Sequence, residues 1–122
     1  MKYLLLIYEN EAVAAGMSEA DQGKVWGEYM TYTEDIRKKG QYVAGEALQP
    51  IATATTVRIK DGKTVSTDGP FAETREQLGG FYLVEAKDLN EALQVAQRIP
   101  SARIGSVEVR PVVDFSQQPS AS

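Results

Sequence analysis

The run of apolar and aromatic residues from Tyr3 to Tyr8 limits the possible folds more than any other feature of the chain. A short apolar run without polar alternation is typical of a strand that is buried on both faces. Gly79–Ala86 predicts a second strand of this kind, and the last strand, Ser106–Phe115, is also apolar on both faces. A sheet built from these strands needs cover on both sides.

Two helices are predicted, each from a capping signal. Ser18 stands three residues before Asp21, as an N-cap with an acidic partner, and Gly40 ends this helix. Asp88 and Glu91 form a capping box for the second helix, which Pro100 stops. Residues 9–17 are predicted to be a loop. The residues expected to form the core-facing stripes are Val25, Tyr29, Tyr32 and Ile36, with Trp26 and Met30 beside them, and Leu89, Ala92, Leu93, Val95, Ala96 and Ile99.

The middle of the chain predicts a strand followed by a hairpin. Strand alternation over Gln41–Leu48 places Tyr42, Ala44, Glu46 and Leu48 on one face. The β-rich runs Thr55–Lys60 and Lys63–Thr67 are joined through Asp61-Gly62, a strong signal for a two-residue hairpin turn.

The predicted order is therefore β-α-β, hairpin, β-α-β, which is a ferredoxin-like α+β fold with an added β-hairpin. We expect a single domain over residues 1–115 and a flexible polar tail over 116–122. Two helices cover only one face of such a sheet, and a large open apolar face is a liability in a monomer. The economical solution is a homodimer with its sheets packed face to face, which resembles a dimeric α+β barrel. A helical partner on that face is the alternative.

Composition excludes several classes of site. The chain has no cysteine and no histidine, so disulfides, thiolate nucleophiles and histidine-based triads are impossible and a zinc site is improbable. Carboxylates could still hold a hard cation, although no metal or cofactor is indicated. A net charge of −4 disfavours nucleic acid as a partner. No apolar run is long enough for a signal peptide or a membrane span, which predicts a cytoplasmic protein without a membrane partner.

The segment from Asp68 to Glu76 is the first candidate site. Asp68-Gly69-Pro70-Phe71 predicts a rigid turn in which Asp68 bonds downstream amides and Phe71 is held in place. If residues 72–78 form a helical turn, Glu73 and Glu76 face the same way and could share a site. Asp68 and Glu73 are the candidate acid–base catalysts, with Gly69, Pro70, Phe71 and Glu76 as candidate ligand-binding residues. The alternative is a turn capped by Asp68, glutamates solvated around Arg75, and Phe71 as a plug over the core.

A second candidate group lies on the predicted strands. Glu46 with Arg58 or Arg110, near Tyr8, could bind an anionic or polar small molecule in a cleft. A cross-strand salt bridge at a sheet edge is the more ordinary explanation. Gly79-Gly80 could let a ligand approach the backbone, although a bulge at the start of the strand explains the pair equally well.

The chain resembles the YCII-related (YciI-like) family, in the subgroup called DGPF-domain proteins. The resemblance rests on segments that cover most of the chain, which are Lys2–Tyr8, Val43–Pro50, Thr53–Arg58, Thr67–Ala86 and Gly105–Pro111. It implies a ferredoxin-like, dimeric α+β barrel, in agreement with the sheet-burial argument.

What the resemblance implies for function is limited. The subgroup is largely uncharacterised and is associated with extracytoplasmic-function sigma factors. A catalytic His–Asp pair has been suggested for YciI-like relatives, but this chain has no histidine, so that mechanism does not transfer. Two hypotheses follow. One is a small-molecule-binding homodimer, with carboxylate-assisted proton transfer near the Asp68–Phe71 turn. The other is a non-catalytic sensor or interaction module that acts with a sigma factor.

Overall fold

The computed structural model describes residues 1–117. Six strands and three helices follow one another as β1 (Lys2–Glu9), α1 (Glu11–Ala15), α2 (Glu19–Lys38), β2 (Tyr42–Ala47), β3 (Thr55–Lys60), β4 (Lys63–Asp68), β5 (Gln77–Glu85), α3 (Leu89–Ala96) and β6 (Ser106–Pro111). Short 3-10 turns cover Ile51–Thr53, Pro100–Arg103 and Phe115–Gln117. The short helix α1 corrects the prediction of a loop over residues 9–17. Residues 118–122 of the predicted tail lie outside the described residues.

The main sheet has four antiparallel strands in the order β2-β5-β1-β6. The α+β class is confirmed, and this strand order is compatible with the predicted ferredoxin-like β-α-β-β-α-β fold. The helices cover one face. Leu5, Ile36, Val84 and Ile99 are among the fully buried side chains between the helices and the sheet. Within residues 1–117, no helix has the length and hydropathy that a membrane span requires.

Both predicted helix starts are confirmed. The Ser18 hydroxyl accepts a hydrogen bond from the Asp21 amide at 3.1 Å, and the Asp88 carboxylate accepts one from the Glu91 amide at 2.9 Å. Parts of the predicted stripes are wrong. Leu89 and Leu93 are about half exposed and Trp26 and Met30 more than half, because each helix buries a narrower stripe than its apolar pattern suggests. The buried positions are Tyr32 and Ile36 in α2 and Ala92, Val95 and Ala96 in α3.

Strand β2 does not alternate as predicted. A bulge at Val43 puts Tyr42 opposite Val84 on the helix-covered face, whereas Ala44 and Glu46 lie on the open face. Tyr42 and Glu46 are therefore on opposite faces, because one extra residue reverses the side-chain alternation. The bulge turns an aromatic side chain toward α2.

The hairpin is confirmed, but it stands apart from the main sheet. Strands β3 and β4 form their own two-stranded sheet, and Asp61 and Gly62 have φ of 51° and 76° in the turn. Val57 and Ile59 are more than half exposed on it. An isolated two-stranded hairpin is marginal in water, so this one needs a further surface to pack against.

Candidate functional site

A cleft of about 610 Å³ lies between α2 and the β2–β5 edge of the sheet, on the helix-covered face. On the helix-covered face its aromatic lining residues are Trp26, Tyr29, Tyr42 and Tyr82, and its charged ones are Glu9, Glu34 and Arg37. Phe81 and Glu46 also border it, although their positions in the strands belong to the open face. A mostly apolar cleft with a few converging polar groups is the usual form of a small-molecule site. This cleft is therefore the candidate functional site of the chain.

A chain of hydrogen bonds opens into one end of the cleft. The Ser101 hydroxyl, on a residue that is only 1% exposed, donates to the Glu9 carboxylate. The Tyr29 and Ser101 oxygens are 2.5 Å apart. Because Ser101 has a single hydroxyl proton and gives it to Glu9, Tyr29 must donate to Ser101. The Tyr29 oxygen then presents only lone pairs to the cleft, so it can accept a hydrogen bond from a ligand.

Three elements bring these groups together. Glu9 ends β1, Tyr29 lies in the middle of α2, and Ser101 lies in the 3-10 turn Pro100–Arg103 that connects α3 to β6. The Ser101 carbonyl accepts hydrogen bonds from the amides of Ile104 and Gly105, which closes this turn. The hydroxyl chain therefore depends on how the turn packs against β1.

Burial suppresses ionisation of the tyrosines around the cleft. Desolvation is the largest cause that raises the pKa of Tyr29, and it also raises the pKa of Tyr32 and Tyr82. The Tyr32 hydroxyl donates to the Val95 carbonyl at 2.8 Å, and the Thr33 and Tyr82 hydroxyls are 2.6 Å apart. At neutral pH all three phenols are neutral, so Tyr29 can relay a proton without carrying a stable charge.

We expect alkaline pH to destabilise the fold through these tyrosines. An unfolded tyrosine ionises near its ordinary pKa of 10.0, whereas the buried ones stay protonated to higher pH. The unfolded state therefore loses protons that the folded state keeps, and the free energy of unfolding falls as pH rises above about 10. Urea unfolding should give a constant midpoint between about pH 7 and 9 and a lower one at about pH 11. In Tyr32→Phe the urea midpoint should fall less between about pH 9 and 11. A wild-type midpoint that is the same at both pH values would contradict the expected destabilisation.

Three glycines lie on the sheet side of the cleft, and two of them allow close packing within the sheet. Gly45, Gly79 and Gly80 line it, and Gly79 is the extra residue where the register of β5 with β1 shifts. A Cβ on Gly80 would lie 2.9 Å from the Glu46 carbonyl, and one on Gly45 would lie 2.9 Å from the Tyr82 ring. The interpretation of Gly79-Gly80 as a bulge is therefore confirmed, whereas the approach of a ligand to this backbone stays a prediction.

The structure places the Asp68–Glu76 segment away from this lining. Asp68 ends β4, and Gly69 follows with φ of 102° and an amide bond to the Ala54 carbonyl at 2.8 Å. No helical turn forms over residues 72–78, and within residues 1–117 the carboxylates of Asp68 and Glu73 make no hydrogen bond or ion pair. The predicted cap by Asp68 and the helical pairing of Glu73 with Glu76 are therefore wrong. Glu76 instead accepts a hydrogen bond from the Ser106 hydroxyl at 2.6 Å.

The Asp68 turn does present its aromatic residue, but to the outside. Phe71, after Pro70, is 79% exposed, so it does not plug the core of this chain. The backbone is fixed at the turn because the Gly69 carbonyl accepts a hydrogen bond from the Thr56 hydroxyl at 2.8 Å. The role of the Asp68–Phe71 turn in ligand binding stays a prediction.

The second predicted group is only partly assembled. Tyr8 and Arg110 share the open sheet face, where the Tyr8 hydroxyl donates to Glu108 at 3.4 Å and Arg110 lies 3.9 Å from the same carboxylate. Desolvation, followed by the charge of Glu108, raises the pKa of Tyr8. Glu46 is on β2 at the opposite edge of the sheet and also borders the cleft, while Arg58 lies in the separate hairpin. No ion pair joins Glu46 to Arg58 or Arg110 among the described residues.

Among residues 1–117, no cluster of three or more carboxylates, histidines or cysteines could hold a metal ion. Sequence reasoning missed Glu9, Tyr29 and Ser101 as a group. Tyr29 was assigned to the core stripe, and Glu9 to a loop. A signal was present, since Glu9 is the first acidic residue after a buried strand, but no local pattern marked Ser101. Only the tertiary fold brings these three positions together.

Comparisons with known proteins identify the family of the chain. Residues 1–116 match the family model described as the YCII-related domain. The chain is also similar to an uncharacterized protein of Rhizobium meliloti, with 37% identity over 114 residues that span 92% of each chain. Neither description names an activity or a ligand.

Proposed function

The chain belongs to the YCII-related domain family, and from this premise we propose that it is a small-molecule-binding homodimer whose cleft supports carboxylate-assisted proton transfer. Its relative is uncharacterized, so the activity has to be argued from the site. The hydrogen-bond chain from Tyr29 through Ser101 to Glu9 is the single observation that carries the proposal. The proposed catalytic carboxylate is therefore that of Glu9, in this series of hydrogen bonds, and not that of Asp68 in the turn after β4.

The relay moves one proton in a balanced step. A ligand X–H group donates its proton to the Tyr29 oxygen, the Tyr29 proton passes to Ser101, and the Ser101 proton passes to Glu9. The ligand is left as its conjugate base, and Glu9 becomes a neutral carboxylic acid. Positioned acid–base groups of this kind typically accelerate proton transfer by about 10²–10⁴-fold.

The homodimer is supported by surface that the single chain leaves uncovered. Leu4 and Leu6 of β1 lie opposite Leu83 and Phe81 of β5 on the face without helices, and all four are only partly buried. The chain exposes 8823 Å², compared with about 6,500 Å² for a compact monomer of this mass. This excess of exposed surface is larger than the area of about 800 Å² that each partner buries in an interface of standard size. Face-to-face packing of two such sheets would give the dimeric α+β barrel that the sequence suggests. The DGPF subgroup and a cytoplasmic location stay predictions.

A deuterium-exchange assay on a panel of small carbon acids tests the proposed chemistry. We expect proton NMR to detect protein-catalysed exchange of C–H protons for at least one member. Glu9→Gln and Tyr29→Phe should lower that exchange rate by at least about 100-fold, because each breaks the relay. Asp68→Asn, a carboxylate-to-amide change outside the cleft, is the matched comparison and should keep the rate. A rate that falls in Asp68→Asn but not in Glu9→Gln would contradict the proposal.

The alternative is a non-catalytic interaction module that acts with a sigma factor. It is favoured by one observation, the exposed apolar side chains of Val57 and Ile59 on the separate hairpin. In that case, binding of the partner would be lost when these two residues are made polar and kept in Glu9→Gln. The proton-transfer proposal predicts instead that catalysis of deuterium exchange is lost in Glu9→Gln and kept when Val57 and Ile59 are made polar.

A further inference from the structure

We propose that the ligand of the cleft is a protonated amine with an apolar, ring-sized body, an inference that rests on the proposed function of the cleft as the ligand site. Three properties of the lining point to this class: aromatic side chains at several points, an excess of carboxylates, and a hydroxyl that can only accept a hydrogen bond. Together they fit an N–H-bearing cation better than a neutral molecule or an anion.

The aromatic lining is suited to a cation. Trp26, Tyr29, Tyr42 and Tyr82 all border the cleft, and ammonium groups are attracted to the faces of such rings. One ring already holds a cation, since the Arg37 guanidinium lies 4.7 Å from the centre of the Tyr42 ring. Tyr42 reaches this position because of the bulge at Val43. The cleft therefore already contains one cation–π contact, which a ligand cation could replace or add to.

The charges of the lining favour the same sign of ligand. Glu9 and Glu34 border the cleft with one guanidinium, that of Arg37. Glu9 accepts the hydrogen bond of the buried Ser101 hydroxyl and is itself partly buried, so its surroundings screen charge less than bulk water does. Its negative charge polarises the hydroxyl chain, so the Tyr29 oxygen becomes a better acceptor. An ammonium N–H directed at Tyr29 would satisfy this acceptor and face the carboxylate behind it.

Three probes with the same benzene ring separate the possible ligand classes: benzylammonium, benzyl alcohol and benzoate. Titrations followed by NMR at low salt should rank their affinities in that order, with benzylammonium at least about fivefold tighter than benzyl alcohol. Arg37→Gln should tighten benzylammonium binding by about threefold or more, because it removes a like charge and frees one face of Tyr42.

Trp26→Leu tests the aromatic contribution. Trp26 is 68% exposed, so its replacement should not disturb the fold. We expect this substitution to weaken the binding of benzylammonium by about fivefold and that of benzyl alcohol by less, since only the cation is attracted by the quadrupole of the ring. Phe115→Leu is the matched control, because Phe115 is 76% exposed and lies outside the cleft lining. It should leave all three affinities unchanged.

Each other result overturns a defined part of the account. Tighter binding of benzoate, lost in Arg37→Gln, would show that the cleft selects anions. Equal binding of benzylammonium and benzyl alcohol would refute the ammonium class but leave the cleft as a small-molecule site. Equal losses of benzylammonium affinity in Trp26→Leu and Phe115→Leu would refute the cleft as the place where it binds. If none of the probes binds, the proposed small-molecule function of the cleft fails together with this inference.

Discussion

Gly105→Ala is expected to lower the free energy of unfolding by about 2–3 kcal/mol and to disable the cleft at the same time. A Cβ on Gly105 would lie 2.1 Å from the carbonyl oxygen of Tyr8, which is far inside van der Waals contact. The obstructing atom is backbone near the end of β1, so no side-chain rotation can relieve the overlap. The backbone segments that contain Gly105 and Tyr8 must instead move apart.

That movement would reach the site because of where Gly105 stands. Its amide is bonded to the Ser101 carbonyl at 2.8 Å, and Tyr8 directly precedes Glu9. Separating Gly105 from Tyr8 therefore separates Ser101 from Glu9. Urea unfolding at fixed protein concentration measures the stability change, and the exchange assay measures the loss of the relay.

Gly27→Ala is the matched control for the same change of residue. Gly27 lies in the interior of α2, and a Cβ there meets nothing within 4 Å. Alanine is favoured over glycine in a helix by up to about 1 kcal/mol, so this variant should be more stable than the wild type. Opposite signs for the two variants are the expected result. A Gly105→Ala protein as stable as the wild type would show that the turn does not pack on β1 as described.

Leu6→Glu is expected to convert the proposed homodimer to a folded monomer. Leu6 lies opposite Phe81 and Glu108 on the open sheet face, where face-to-face packing would bury it. By two-fold symmetry the substitution places two unpaired carboxylates in one interface, each close to Glu108. Burying charges without partners costs several kcal/mol, so the dimer dissociation constant should rise by at least about a thousandfold.

The fold of the Leu6→Glu monomer should survive, because the side chain points away from the helices and is already partly exposed. Leu93→Glu is the control, since Leu93 is 46% exposed on α3 and lies on the helix side of the protein. Sedimentation velocity over a range of concentrations should find Leu93→Glu dimeric and Leu6→Glu monomeric. A monomeric wild type, or a dimeric Leu6→Glu, would refute the proposed interface.

The fold was predictable because its signals are local. Capping at Ser18 and Asp88, the Asp61-Gly62 turn and the apolar run of β1 each follow from a few adjacent residues. The presence of only two long helical segments also predicted that one face of the sheet would be left without cover. The extra residue at Val43 had no such signal, because a bulge is fixed by pairing with the neighbouring strand.

The site was much less predictable. The Asp68 segment combines a proline turn with several carboxylates, but polar residues that are close in sequence need not lie in a cleft. Glu9 and Ser101 are 92 residues apart, and Tyr29 is 72 residues from Ser101. Their convergence depends on the packing of the turn after α3 against the end of β1, which no local pattern of the sequence encodes.

The central claim is that the ligand site is the cleft beside Tyr29, Ser101 and Glu9. A map of backbone amide shifts in isotope-labelled protein, titrated with benzylammonium and benzyl alcohol, tests it most directly. We predict that the largest shifts fall on residues bordering the cleft, at Thr33, Gly79, Gly80 and Ser101. Shifts concentrated instead on Asp68 to Glu73 would contradict the claim and return the site to the turn after β4.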